Sequence, residues 1–115
     1  MTTLYGISNC DTVRKARKWL EARGVEFQFH DFRKQGLSPE QLARWCDAAG
    51  LERVLNKRGT TWRQLPDEVK ATTDSTALQT LMVEQPTLIK RPVLELDDGR
   101  VVIGFKDTEY TALFD

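Results

Sequence analysis

The first apolar run is short. Leu4, Tyr5 and Ile7 stand among Thr3 and Gly6, and residues 3–7 read as a buried strand. The apolar period then lengthens. Val13, Ala16 and Leu20 recur at helical spacing, which predicts a helix over about 12–23. Asp11 or Thr12 can cap its start, and Gly24 can close it. Residues 25–32 alternate instead. Val25, Phe27 and Phe29 fall on one face and Glu26, Gln28 and His30 on the other, the pattern of a second strand. A strand, a helix and a strand in this order predict a βαβ unit with parallel strands and a right-handed connection.

A helical stretch follows the turn at Lys34-Gln35-Gly36. Ser38 and Pro39 mark a helix start, and Leu42, Trp45, Cys46 and Ala49 repeat at helical spacing up to Gly50. A short helix is expected near 51–55, residues 56–63 have loop composition, and Pro66-Asp67-Glu68 suggests another short start. Ser75 to Glu84 reads as a clearer helix with Leu78, Leu81 and Met82 inward. The period then returns to that of strands. Residues 93–96 and 100–103 form an antiparallel pair around Asp98-Gly99, and Gly104 ends the second of them. A last helix begins at a capping Asp107 and turns Tyr110, Leu113 and Phe114 inward. Without the helical block of 35–85 the order is βαβ then ββα. That is the thioredoxin-like arrangement, an α/β fold with a four-stranded mixed sheet and flanking helices. The expected organisation is one domain over 1–115, with a core of 1–34 and 86–115 and an inserted helical cap.

Composition narrows the function classes. The chain has 115 residues, 40% hydrophobic and 30% charged, as for one ordinary globular domain. Lys and Arg total 17 and so do Asp and Glu, which leaves no basic excess for general binding to nucleic acid or a membrane surface. No apolar stretch approaches the roughly 20 residues of a membrane span. Met1-Thr2-Thr3 runs into a strand without the pattern of an export signal. The expectation is a cytoplasmic protein, where Cys10 and Cys46 stay reduced. One histidine and two distant cysteines do not make a usual zinc set, so no metal is expected.

Candidate chemistry centres on Cys10. It lies in a polar loop between Asn9 and Asp11, at a strand-to-helix junction. Unpaired backbone N–H groups and the positive end of the helix dipole favour an anion there and lower a thiol pKa. Val13 stands where a second cysteine of a CxxC motif would be, so a disulfide formed by Cys10 needs an outside thiol to resolve it. Cys46 falls on an apolar helical stripe and reads as core; His30 reads as a strand residue. Arg91-Pro92 opens the third strand, where thioredoxin-like folds place a cis-proline, and Arg91 can hold an anion bidentately. Arg14-Lys15, Lys57-Arg58 and Arg63 are the remaining clustered cations considered for the site.

Together these segments resemble the ArsC-like family of arsenate reductases, which also contains the Spx transcription regulators. The resemblance covers nearly the whole chain. It rests on Tyr5, Asn9-Cys10 with Thr12 and Arg14, Asn56-Lys57-Arg58-Gly59, Leu88-Ile89-Lys90-Arg91-Pro92 and Gly104-Phe105. Residues 6–12 and 58–63 look most like the YffB branch, proposed to be glutathione-dependent thiol reductases. The resemblance implies Cys10 as nucleophile, with Asn9, Thr12, Arg14, Arg58, Arg91 and cis-Pro92 binding an anion or glutathione. Glutathione is then a co-substrate, glutaredoxin a possible partner, and no cofactor is tightly bound. Arsenate reduction coupled to glutathione and glutaredoxin is the second function it implies, and a non-catalytic regulator bound to RNA polymerase the third. The chain departs from the arsenate reductases in three places. Gly6 replaces a histidine, Asn56 stands at the position of a second arginine, and Ile103-Gly104 at that of a third. It departs from the usual Spx pattern in lacking CxxC.

Overall fold

A computed structural model describes residues Met1–Phe114. In chain order the elements are β1 (Thr3–Gly6), α1 (Asp11–Ala22), β2 (Gln28–Asp31), α2 (Pro39–Ala49), α3 (Leu51–Val54), α4 (Thr60–Arg63), α5 (Asp67–Lys70), α6 (Ser75–Glu84), β3 (Val93–Glu95), β4 (Val101–Ile103) and α7 (Asp107–Phe114). A 3₁₀ turn over Pro86–Leu88 precedes β3. The chain divides into two compact units, one of Met1–Gln35 with Arg91 onward, the other of Gly36–Lys90.

The first unit holds the sheet, in the order β2-β1-β3-β4. β1 runs parallel to β2 and antiparallel to β3, and β3 is antiparallel to β4. The register aligns Leu4 with Phe29 and Leu94, and Leu94 with Val102. These side chains therefore form one row across one face. Leu4 and Leu94 are fully buried there with Ala16 and Leu20 of α1 and Tyr110 of α7, and Phe29, Val102 and Phe105 pack around them. Gly6 lets α1 approach β1. A Cβ at Gly6 would lie 2.7 Å from Val13 Cγ2, closer than side chains tolerate. This close seat fixes the start of α1, and with it the Cys10 loop.

Several boundaries differ from the sequence expectation. α1 begins at Asp11, and Cys10 itself is the N-cap, without a side-chain capping bond. Asp11 and Thr12 are thus first-turn residues, not caps. At the other end Gly24 (φ +69°) donates to the Glu21 carbonyl, and Val25 N–H donates to that of Leu20. This six-to-one closure commits the Val25 N–H to the helix end. Ladder pairing with β1 consequently begins only when Gln28 N–H reaches the Thr2 carbonyl at 3.0 Å. Asp107 likewise lies inside α7, since Tyr110 N–H donates to the Lys106 carbonyl.

In the second unit, the Ser38 side chain accepts the Gln41 N–H and Pro39 opens α2, as the sequence predicts. Asp74 caps α6 in the same way on Ala77 N–H. Leu42, Trp45, Val54, Met82, Leu88 and Ile89 are wholly buried. Residues 86–90 group with these helices. Leu55 bridges Ile89, Asn56 N–H donates to the Leu88 carbonyl, and Lys90 N–H donates to that of Val54. Where loop composition suggested an open segment, Thr60–Arg63 forms one helical turn with Trp62 buried. No described helix is long and apolar enough to cross a membrane.

Candidate thiol site

Cys10 is half-buried at the mouth of α1. Its N–H donates to the Ile7 carbonyl at 3.2 Å, and its carbonyl accepts the Arg14 N–H at 3.0 Å, the first bond of the helix. The loop from β1 therefore turns directly into α1 with the thiol at the turn. Burial acts to raise the thiol pKa. It is outweighed by hydrogen bonds to the sulfur from Val13 N–H, from the Arg91 side chain and from Thr12 N–H, and by the Arg91 charge. The Cys10 thiol consequently ionises below its ordinary value. Two first-turn amides and one guanidinium favour the anionic form of the sulfur, the direction a thiolate nucleophile needs.

The residues singled out from the sequence have different placements. Thr12 acts through its backbone, and Arg91 reaches the sulfur with its side chain. The Arg91–Pro92 peptide bond is cis; Pro92 is buried and its carbonyl accepts the Gly104 N–H at 2.8 Å. Asn9 is exposed beside the thiol. Arg14 pairs with the Asp11 carboxylate within the first turn. Arg58 lies exposed in the helical unit, with its N–H on the Asn56 side-chain oxygen at 3.1 Å. Both cysteines are free thiols. Cys46 is buried on α2, where burial and then the Asp47 charge push its thiol pKa up. His30 pairs with Tyr5 across β1 and β2, their rings 5.1 Å apart.

Sequence reasoning missed Asp31. This buried carboxylate ends β2 and accepts the Ser8 N–H at 3.2 Å, 23 residues back in the chain. It also accepts the N–H groups of Arg33 at 3.0 Å and Lys34 at 3.3 Å. Burial would raise its pKa, but the Ser8, Arg33 and Lys34 amides together hold it below the usual carboxylate value. One side chain thereby joins the loop that carries Cys10 to the turn after β2. The local half of this was readable. An aspartate that ends a strand before a polar turn is a common acceptor for amides two and three residues on. The long-range bond to Ser8 has no local signal.

The match to known proteins covers the same frame. The model of the ArsC family matches residues 5–113. A solved structure of a YFFB protein superposes with a TM-score of 0.95 at 46% identity, over the full length of both chains. The solution structure of an arsenate reductase (ArsC) related protein from Brucella melitensis gives 0.78, also at 46% identity, over 99% of this chain and 94% of that one. The global transcriptional regulator Spx of Streptococcus agalactiae is 32% identical over 114 residues, spanning 97% of this chain and 82% of the regulator. Matched almost end to end, with a thiol at the mouth of its first helix, the chain belongs to the thioredoxin-like ArsC family.

Proposed function

We propose that this protein is a cytoplasmic thiol-dependent reductase that uses Cys10 as its single nucleophile and glutathione as the resolving thiol. The observation that carries the reading is the sulfur held by the Thr12 and Val13 amides and by Arg91, with no cysteine at position 13. The Cys10 thiolate attacks one sulfur of a substrate disulfide or glutathione mixed disulfide. The S–S bond breaks, the departing thiolate takes a proton, and Cys10 is left in a new mixed disulfide. Where Cys10 is left bonded to a substrate sulfur, one glutathione thiolate attacks Cys10 and displaces that sulfur as a thiol. A second glutathione thiolate then attacks the Cys10–glutathione disulfide, releases Cys10 as thiolate and leaves as oxidised glutathione. Glutathione supplies both electrons, and Cys10 ends as it began. Glutaredoxin can replace glutathione in the second step. Turnover of a small disulfide coupled to glutathione reductase tests the reading. Wild type turns over, and Cys10→Ser falls to background while Cys46→Ser keeps its rate. Equal rates for wild type and Cys10→Ser would remove the proposal.

Arsenate is a second substrate class, supported by the likeness to the arsenate reductase related protein of Brucella. A single arginine on the thiol makes the site poorer in charge than a dedicated oxyanion pocket needs. Arsenate-dependent oxidation of glutathione above background would move it to first place. The 32% identity to Spx supports a regulatory reading, in which the chain binds RNA polymerase. Recovery of polymerase subunits with the tagged protein, undiminished by Cys10→Ser, would favour it over the reductase.

A further inference from the structure

Beside the Cys10 loop lies a cleft of about 350 Å³ that no step above uses, lined by Ile7, Ser8, Asn9, Asp31, Arg33 and Lys34. Its two walls are the loop before Cys10 and the turn after β2, and the buried Asp31 carboxylate bonds to amides of both. The turn wall is closed again by Lys34 and Gln35 N–H donating to the Asp31 carbonyl, and by the Gln35 side chain accepting the Asp31 N–H. The cleft is therefore a built feature of the backbone. Its charges are unequal in availability. The Asp31 charge is engaged by three amides. Arg33 and Lys34 are exposed, and neither has an ion-pair partner among the described residues.

We infer that this cleft is the subsite for a carboxylate of the thiol or disulfide that exchanges with Cys10, and that Arg33 and Lys34 set the preference for acidic partners such as glutathione. The inference rests on the reductase reading and adds the charge selection to it. Reach supports it. Ser8 and Cys10 are two residues apart, at most about 7.6 Å between Cα atoms. A tripeptide bound through sulfur to Cys10 extends about 10 Å and carries carboxylates at both ends. One end can thus pass over Asn9 into the cleft. Paired cations on a formed wall favour carboxylates by charge and hydrogen bonding. Asp31 is a positioning residue in this account, since it shapes both walls without needing to touch the ligand.

The test is single-turnover formation of the Cys10 mixed disulfide, followed by intact-protein mass spectrometry at low salt. Three probes differ in charge: oxidised glutathione (anionic), hydroxyethyl disulfide (neutral) and cystamine (cationic). Wild type should react faster with oxidised glutathione than with hydroxyethyl disulfide, and the advantage should shrink with added salt. Arg33→Glu/Lys34→Glu should lower the glutathione rate about tenfold and raise the cystamine rate. Its hydroxyethyl disulfide rate should stay unchanged, which also reports an intact fold and thiol. Arg33→Gln/Lys34→Gln should fall between. Unaltered charge preference in both variants would overturn the subsite and leave the reductase reading standing. Failure of wild-type Cys10 to react with any of the three would overturn both.

Discussion

The Cys10 sulfur is held by two backbone N–H groups and one guanidinium, and only the guanidinium can be removed by substitution. Arg91→Ala should raise the thiol pKa and slow alkylation by iodoacetamide several-fold at pH 7. At a pH where both thiols are ionised, the two rates should converge. Equal rates at pH 7 would show that the amides suffice. Stability follows the same sign. The folded thiol ionises below its unfolded value, so ionisation adds stability that is fully present above the unfolded pKa. That contribution disappears as the pH falls through the folded value. Cys10→Ser should therefore lose stability relative to wild type at alkaline pH and match it in acid. Asp31 behaves alike in the carboxylate range, because its folded pKa is also depressed. Asp31→Asn should cost about 1–2 kcal/mol in urea denaturation at pH 7, from weakened amide bonds. The difference should close as the pH drops through the folded carboxylate pKa. Cys10 and Arg91 were legible as residues because each sits in a short motif. Asp31 was not, because its bond to Ser8 spans two strands.

The strand-to-helix junction depends on how closely α1 can sit on β1. Gly6 to Ala places a methyl against the Val13 side chain. The overpacking should cost about 1–3 kcal/mol in a thermal or urea melt. Adding Val13→Ala to Gly6→Ala removes the obstructing methyls, so the double variant should recover part of the loss relative to the sum of the two single changes. Simple additivity would mean that the close seat does not constrain the junction. In α2, Ser38→Ala removes the capping acceptor for Gln41 N–H and should cost about 1 kcal/mol. These helix and strand types were legible because periodicity, capping residues and glycine stops agree. The start of β2 was not. Val25 and Phe27 continue the strand alternation, but the hydrogen bonds closing α1 delay the ladder to Gln28. The turn of Thr60–Arg63 was also missed. Its polar residues give no helical stripe, and only Trp62 is buried.

For the whole molecule, the order of elements was enough to predict the mixed sheet, because a βαβ unit and a β-hairpin leave few ways to pair four strands. The edge between sheet unit and helical unit was less legible. Leu88 and Ile89 have strand composition and lie just before β3, yet they pair with Leu55 and Asn56. The division between the settings of the two cysteines was legible from helix periodicity and loop composition. Cys46 is on the buried stripe of α2, and Cys10 is on a polar loop. The most direct test of the account uses that division. The protein is incubated with oxidised glutathione at neutral pH, digested and mapped by mass spectrometry. The account predicts one glutathione per chain, on Cys10, lost when a reducing thiol is added, with Cys46 unmodified. An adduct on Cys46, or none on Cys10, would contradict it.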